Sequence, residues 1–166
     1  MAENVRWILD REENLYGTQL MLAGHNGHLA QVVNSSYKNL GSYLQEEFED
    51  AYFVIGTDFY HTTCSIAETV GRKDYEFCSD DPLAKAVGEL EENMYYLDFA
   101  AAEESTTLSE LLNNSMSTGS LGEGYSPMMK VLKSTYQINI APAKLYDGMI
   151  FVYEATPIDV WDYREQ

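Results

Sequence analysis

Two of the three histidines in this chain, His25 and His28, lie three residues apart in the segment Ala-Gly-His-Asn-Gly-His, residues 23–28. The apolar run before them, residues 18–23, predicts a strand that ends in a glycine-flanked loop. Ligands of open α/β sheets collect outside the carboxyl ends of strands, so we expect both imidazoles in one cleft. A histidine pKa of about 6.5 suits it to activate water, bind a developing oxyanion or protonate a leaving group. His25 and His28 are therefore the candidate catalytic residues.

The same pair of histidines also fits a structural role or a metal site. In the structural role, His25 ends a strand and His28 begins a helix, and each ring is simply hydrogen-bonded. In the metal site, His-x-x-His offers two nitrogens to zinc, and the third ligand would be His61, Asp58 or Glu68. No further sequence feature supports such a metal centre, so we expect neither a metal nor a cofactor.

Polar residues after the next predicted strand are candidates for contacting a substrate. The largely apolar run at residues 51–57 is typical of a parallel strand that is covered on both faces. Asp58, Tyr60 and His61 follow it, so adjacent parallel strands would bring them to the rim that carries the histidines. An ordinary polar strand exit accounts for them equally well. With Asn26, which tolerates the left-handed backbone region, Asp58 and Tyr60 are the predicted substrate contacts.

The glycine-rich segment at residues 119–125 is predicted to be a loop that covers the cleft as a lid. Glu123 in this loop is a further candidate for contacting substrate. The segment does not match a phosphate-binding loop, because no lysine follows it and no strand leads directly into it. The acidic stretches at residues 46–50 and 89–92 are interpreted as solvated helix ends.

Composition predicts one folded domain over residues 1–166. The chain is 45% hydrophobic and 13% aromatic, which argues against disorder, and its formal net charge of -17 repels phosphate backbones and anionic lipid surfaces. We therefore expect neither nucleic acid nor a membrane as a partner. No apolar run approaches the ~18 residues of a membrane span, and the first residues lack the features of a signal peptide, so a cytoplasmic location is expected. Cys64 and Cys78 lack metal-binding spacing and are expected to be reduced thiols.

Strand and helix patterns alternate along the chain, which favours an α/β fold with a mostly parallel central sheet flanked by helices. The predicted helices are residues 2–13, a segment between 29 and 49 capped by Ser35 or Ser36, a segment from Asp80 or Asp81 to Asn93, residues 106–113, and residues 127–135. The predicted strands are residues 18–23, 51–57, 94–99 and 149–153, with a hairpin of residues 62–67 and 75–78.

Six blocks in order resemble the erythromycin esterase family of hydrolases. They are Met-Ala-Glu-Asn at 1–4, Ala-Gly-His-Asn-Gly-His at 23–28, Gly-Ser-Tyr-Leu at 41–44, AYFVIGTDFY at 51–60, GSLGEGYS at 119–126 and LYDGMIFVYEAT at 145–156. The resemblance covers nearly the whole chain, but only the carboxyl-terminal part of the family's pattern. It implies an α/β fold that is incomplete here, and cleavage of ester bonds by activated water, as in members that open the lactone ring of macrolide antibiotics.

In the same resemblance, His25 and His28 match the family's motif histidines, which lie beside the general base. It implies that they orient water and stabilise the tetrahedral intermediate. The family's glycine-glutamate segment leading to a base histidine, its further glutamate, and the arginine before Met-Ala-Glu-Asn are not in these 166 residues. The chain therefore resembles half an enzyme and is expected to be inactive or weak alone.

Two hypotheses from different classes follow. In the first, the chain belongs to an esterase that acts on a small-molecule ester, and His25 and His28 line its active site. In the second, it is a non-catalytic module from a truncated or split gene, which binds a small molecule, forms a homodimer, or pairs with a separately encoded amino-terminal half. The second hypothesis predicts an uncovered part of the sheet that invites association.

Overall fold

The computed structural model describes residues 1–13, 19–32, 38–122 and 124–157. Within them, the strands form a four-stranded sheet of order β2-β1-β6-β3 and a two-stranded sheet of β4 and β5. The strand bounds are β1 Ile55–Ala67, β2 Arg72–Cys78, β3 Met94–Asp98, β4 Met116–Gly119, β5 Gln137–Ile140 and β6 Gly148–Ala155.

The large sheet is mixed, so the prediction of a mostly parallel sheet is wrong. Of its three strand pairs, only β1 and β6 are parallel, while β1–β2 and β3–β6 are antiparallel. The coarser prediction of an α/β fold with a helix-flanked sheet is confirmed. Strands β1 and β2 form the predicted hairpin, whose turn places Gly71 at φ 75°, a conformation that suits glycine.

The helices are short, and several begin where the sequence predicts. Their bounds are α1 Ala2–Glu13, α2 Asn26–Leu29, α3 Leu40–Phe48, α4 Pro82–Ala86, α5 Phe99–Ala102 and α6 Thr106–Asn113. Helices α1 and α6 match their predicted bounds. Helix α4 begins after the predicted cap Asp81 but gives way to the 3₁₀ turn Val87–Glu89, so its predicted continuation to Asn93 is wrong. Two 3₁₀ turns, Pro127–Lys130 and Lys133–Thr135, replace the helix predicted for residues 127–135.

Helix α3 is capped by Asn39, whose side chain accepts a hydrogen bond from the backbone of Ser42. The caps predicted from sequence, Ser35 and Ser36, lie outside the described residues. The small sheet departs from the sequence prediction, which makes residues 115–126 a loop throughout. In the structure, β4 pairs with β5 from Met116 opposite Ile140 to Gly119 opposite Gln137.

The main hydrophobic core lies on one face of the large sheet. Met149 and Phe151 of β6 are fully buried in it, against apolar side chains from α4, α5 and α6 such as Leu83, Phe99 and Leu112. Apolar burial of this kind stabilises a fold by roughly 25 cal/mol per Å² removed from water. A second cluster, Ile66, Phe77 and Tyr136, packs the β1–β2 hairpin against the segment before β5.

Within the described residues, no helix combines the length and apolar character that crossing a bilayer requires. Cys64 and Cys78 are free thiols, as the sequence predicts.

Candidate functional site

The histidine loop is a coil followed by a single helical turn. The described residues 19–25 have no regular secondary structure, so the strand predicted at residues 18–23 is wrong, and Thr18 itself lies outside the described residues. Helix α2 begins after His25, and the backbone N–H of His28 donates to the carbonyl of His25 at 2.9 Å. This turn brings the two imidazoles together, with ring centroids 6.0 Å apart and planes inclined by 27°. Both side chains are exposed, so both can reach a ligand.

Asn26 fastens this loop to the central sheet. Its side-chain N–H donates to the carbonyl of Thr57 at 2.6 Å, and its Oδ1 accepts from the backbone N–H of Thr57 at 3.2 Å. Because β2 pairs with β1 only from His61 onward, Thr57 has no strand neighbour on this side, and the carboxamide supplies the two bonds that a strand would make. Asn26 therefore sets the position of both histidines relative to β1.

Asn39 fastens the other end of the turn to α3. Its side chain is 5% exposed and donates to the carbonyls of Gly27 at 2.9 Å and Ala30 at 3.0 Å, while its oxygen caps α3. Close packing here requires glycine at position 41, since a Cβ there would lie 2.1 Å from the carbonyl oxygen of Leu29. Helix α2 is thus held from two directions despite its length of four residues.

A cavity of about 480 Å³ opens beside His25. Its walls are the histidine loop, the middle of β1, the facing part of β2, and the segment from Gly119 to Gly122. The volume falls within the range of roughly 300–1,000 Å³ that is usual for small-molecule sites. Its apolar lining includes Phe59, Ile66, Phe77, Leu121 and Tyr136.

The predicted site residues are only partly brought together. His25, Asn26 and Asp58 line the cavity, whereas His28 and Tyr60 do not. The ring of Tyr60 stacks on Tyr153 at 5.2 Å and packs against the main core. Glu123 lies outside the described residues.

Asp58, Tyr60 and His61 lie inside β1, which corrects the prediction that they follow a strand end. The error arises because the polar residues in the run after Ile55 continue the strand into the hairpin with β2. The side chain of Asp58 points from β1 toward the core side of the sheet and is 3% exposed.

The Asp58 carboxylate is surrounded by Gly119, from the segment predicted to be a lid, and by Ser79 and Asp81, which the sequence patterns do not assign to the site. Ser79 donates to Asp58 Oδ2 at 3.3 Å, and the backbone N–H of Gly119 donates to the same oxygen at 2.9 Å. Asp81, the cap of α4, is fully buried within hydrogen-bonding reach of Asp58. Its sequence signal, an aspartate before proline, indicates a helix start, which is correct but does not reveal the tertiary contact.

Burial determines the electrostatics of this carboxyl pair. Loss of water raises the pKa of both acids, and for Asp81 the adjacent charge of Asp58 adds to burial, which together raise its pKa to about 8. Hydrogen bonds from the backbone of Gly119 and Phe59 act in the opposite direction at Asp58, which favours its charged form. Burial and the mutual repulsion of the two charges therefore favour the retention of a proton by this pair. The cavity wall also carries Arg72, whose guanidinium donates to the carbonyl of Ser65.

Within the described ranges, no group of three or more histidine, cysteine, aspartate or glutamate side chains is arranged to hold a metal ion. Of the residues considered as a third ligand beside the two histidines, His61 packs edge-on against Tyr60 at 4.4 Å, and Glu68 accepts a hydrogen bond from the hydroxyl of Tyr75. One exposed imidazole on the cavity wall, with a second exposed imidazole beside it, can carry out proton transfer and hydrogen bonding to a polarised oxygen.

Comparison with known proteins agrees with the resemblance given by the sequence blocks. The sequence model of the family described as erythromycin esterase matches residues 1–155. None of the curated proteins matches the chain.

Two solved structures share its fold. A protein from Bacillus cereus is 22% identical with a TM-score of 0.75, and the match covers 97% of this chain and 38% of that chain. A protein described as a succinoglycan biosynthesis protein is 15% identical with a TM-score of 0.71, and the match covers 93% of this chain and 37% of that chain. The chain thus spans less than two fifths of the length of either protein.

Proposed function

Because the chain belongs to the erythromycin esterase family, we propose that it carries the histidine side of a site for water-mediated hydrolysis of a small-molecule carboxylic ester of the macrolactone type. The observation that carries the proposal is the pair of nearly parallel imidazoles, 6.0 Å apart, with His25 on the wall of a cavity of about 480 Å³. A cavity of this size with apolar walls suits a mostly apolar ester.

In the proposed reaction, the ester carbonyl lies at the cavity mouth beside His25. One imidazole orients the attacking water, and the other donates a hydrogen bond to the oxyanion of the tetrahedral intermediate. Asn26 holds both rings in register with β1 through its two bonds to Thr57. The general base that the resemblance implies is not among these 166 residues, so we expect this chain alone to turn over substrate weakly.

Histidine NMR tests the proposal without requiring turnover. The chain holds three histidines, and His61 is an internal control, because it packs against Tyr60 and Tyr153 and is not among the residues that line the cavity. On titration with erythromycin, the ring signals of His25 and His28 are expected to shift together while those of His61 stay in place. His25→Ala is expected to weaken this binding, and His61→Ala to leave it unchanged.

Two results would count against this function: no movement of the His25 and His28 signals at saturating macrolide, or equal movement of all three histidines. A different result, fast hydrolysis of erythromycin by the chain alone that His25→Ala abolishes, would keep the esterase but remove the need for a second half.

A second candidate function, pairing with a companion polypeptide, is favoured by one face of the large sheet. Strand register places a set of apolar side chains on the face opposite the main core, and none of them belongs to either core cluster. We call this set the open sheet face: Ile55, Met94, Tyr96, Ile150 and Val152. Ile55, Met94 and Tyr96 are 48%, 59% and 46% exposed, and Ile150 and Val152 are partly exposed, so this face is accessible to solvent.

The occupant that we propose is the amino-terminal part of an erythromycin esterase fold, supplied as a companion polypeptide. A parallel strand pair such as β1–β6 is normally covered on both faces, which gives near-continuous apolar strands. Both solved structures with this fold carry more than half of their chain outside the matched part, which is enough to form such a layer. The net charge of -17 disfavours a second copy of this chain as the regular partner.

Analytical ultracentrifugation tests whether the open sheet face mediates association. Without its companion, the chain is expected to self-associate weakly at high concentration, and Tyr96→Lys is expected to shift it toward monomer. Val70→Lys is the matched control, because Val70 is 90% exposed at the hairpin turn and away from this face. A wild-type chain that stays monomeric at millimolar concentration would count against the pairing hypothesis. Equal effects of the two substitutions would show that the open sheet face does not mediate the association. An adjacent reading frame that encodes an amino-terminal part of an erythromycin esterase would support the pairing hypothesis.

A further inference from the structure

The carboxyl groups of Asp58 and Asp81 meet in the interior behind the cavity. Their exposed fractions are 3% and 0%, and their side chains are within hydrogen-bonding reach of each other. Ser79 joins them, since its hydroxyl donates to Asp58 Oδ2 at 3.3 Å and accepts from the backbone N–H of Asp81 at 3.1 Å. Two ionised carboxylates this close in a buried place repel each other, so such a pair retains a proton.

The two acids differ in the number of hydrogen bonds that they accept. Asp58 accepts from the backbone N–H of Phe59 at 2.7 Å, from the backbone N–H of Gly119 at 2.9 Å, and from Ser79. Three donors converging on one side chain favour its charged form. A carboxylate has about four acceptor positions, so one remains for a further donor.

Asp81 has the complementary arrangement. Its Oδ1 caps α4 by accepting from the backbone N–H groups of Leu83 at 2.7 Å and Ala84 at 3.3 Å. Its Oδ2 is buried and, as an acceptor, has no partner among the described residues. A buried oxygen without a partner is costly, but a proton on Oδ2 makes it a donor toward the Asp58 carboxylate.

We propose that Asp81 carries this proton and is a positioning residue for the cavity: its O–H holds the Asp58 carboxylate, which in turn holds Gly119 and the end of β4 at the cavity rim. Gly119 is suited to this contact, because a Cβ at that position would lie 2.2 Å from Asp58 Oδ1. This arrangement belongs to the wall of the cavity and does not depend on whether the chain cleaves esters.

The other titratable groups that act on the pair, within the described part of the chain, are tyrosines. Tyr95 donates its hydroxyl to the carbonyl of Leu83 at 3.1 Å, and burial together with the charge of Asp81 raises its pKa to about 12. Burial, with the charge of Asp58, also raises the pKa of Tyr146. Both tyrosines are therefore neutral throughout the range in which the acid pair loses its proton.

The proposal predicts that opening of this region depends on pH. When the rim opens, Asp81 meets water and loses its proton with an ordinary pKa near 4, whereas in the closed state it keeps the proton up to about pH 8. The open state thus binds fewer protons than the closed state between these values. Opening should therefore become more frequent by about tenfold per pH unit from about pH 5 to pH 8, and level off above.

Infrared spectroscopy tests for the proton directly. At pH 6 the wild-type protein should show the carbonyl stretch of a buried protonated carboxylic acid, which should disappear as the pH passes about 8. Asp81→Asn should lack this band, and Asp98→Asn should retain it, because Asp98 caps α5 in the same way but is not paired with another acid. Absence of the band in the wild type at pH 6, or its persistence in Asp81→Asn, would overturn the proposal.

Hydrogen exchange at the backbone N–H of Gly119 tests the positioning role. Asp81→Asn keeps an oxygen to cap α4 and places an N–H toward Asp58, so this variant should fold. In it, the exchange rate of the Gly119 N–H, corrected for the intrinsic rate, should not depend on pH between 5 and 8. In the wild type, the corrected exchange rate should rise about tenfold per pH unit over the same range. Equal pH slopes in the two proteins would overturn the positioning role, and if Asp81→Asn does not fold, the infrared titration of the wild type decides the question.

Discussion

Replacing Gly119 with alanine should destabilise the protein, because the added Cβ enters space that the Asp58 carboxylate occupies. The Cβ would lie 2.2 Å from Asp58 Oδ1 and 3.1 Å from its Cγ. A side-chain end can often move aside, but this one is 3% exposed and bonded to Phe59, Ser79 and Gly119 itself. Relief of the clash therefore requires breaking hydrogen bonds.

The expected magnitude follows from two costs and one gain. Losing the hydrogen bond from Gly119 to a charged acceptor costs about 1.5–3 kcal/mol. Overpacking typically destabilises a protein by about 1–3 kcal/mol. Replacing glycine with alanine also restricts the unfolded chain, which stabilises the folded state by about 0.4–1 kcal/mol. The free energy of unfolding should therefore fall by about 2–5 kcal/mol, a large part of the roughly 5–15 kcal/mol of an ordinary domain.

Urea unfolding at pH 6 measures this loss, with the slope m unchanged if the denatured state is unaffected. Gly122→Ala is the matched control in the same segment, because a Cβ there meets no atom within 4 Å. The control should stay within about 0.5 kcal/mol of the wild type. If Gly119→Ala were as stable as Gly122→Ala, the close approach of β4 to Asp58 would not exist in solution, and the positioning role of Asp81 would lose its geometric basis.

Substitutions at three other positions give distinct expected results. Asp81→Asn should flatten the pH dependence of the free energy of unfolding. In the wild type, the stability that protonated Asp81 contributes is complete below about pH 4 and is lost as the pH rises toward about 8. Urea unfolding at several pH values measures this difference between the two proteins. Asn39→Ala should cost about 2–4 kcal/mol in the same assay, since it removes a buried cap and two further hydrogen bonds. Asn39→Asp should cost at least as much, because its buried carboxylate would still accept from Ser42 but would turn an acceptor oxygen toward the carbonyls of Gly27 and Ala30. Asn26→Ala should leave global stability within about 1 kcal/mol but increase hydrogen exchange at the Thr57 N–H severalfold; unchanged exchange would show that the histidine loop is held by other contacts.

Elements whose signals are local could be predicted from the sequence. The apolar spacing of α1 and the hydroxyl residues before α6 give the correct bounds, and Asp81 before Pro82 gives the start of α4. The turn at Asp147-Gly148 leads into β6 as expected. In each of these cases the residues that determine the element lie within it or at its ends, so no knowledge of the tertiary structure is needed.

Elements that depend on partners distant in sequence could not be predicted from the sequence. The run Leu20-Met21-Leu22 has a strand-like composition, but Met21 is 90% exposed and residues 19–25 have no strand neighbour. Strand β4 lies in a segment rich in glycine and hydroxyl residues, and it is a strand because β5 pairs with it some 20 positions later. The antiparallel pairing of β3 with β6 also depends on the path of the chain between the two strands, which no local sequence pattern predicts.

The candidate site could be predicted only in part for the same reason. The histidine pair is a local motif, and the structure brings the two rings together within one helical turn. The acid pair joins residues 23 positions apart in sequence, Asp58 and Asp81, and each fits an ordinary local role when taken alone. Their contact emerges only when the end of β2 carries Ser79 and the start of α4 back to β1.

Both sides of the cavity depend on consecutive residues of β1, and this makes their coupling testable. Thr57 holds the histidine loop through backbone bonds to Asn26, while Asp58 holds the opposite rim through its side-chain bond to Gly119. Backbone and side-chain bonds of neighbouring strand residues involve different atoms, and the two partner segments have no hydrogen bond to each other among those described. Substitutions that disturb different contacts add within about 0.3–0.5 kcal/mol when the sites are independent. The double variant Asn26→Ala, Gly119→Ala should therefore lose the sum of the two single effects, and a deviation beyond about 1 kcal/mol would mean that β1 transmits strain from one wall of the cavity to the other.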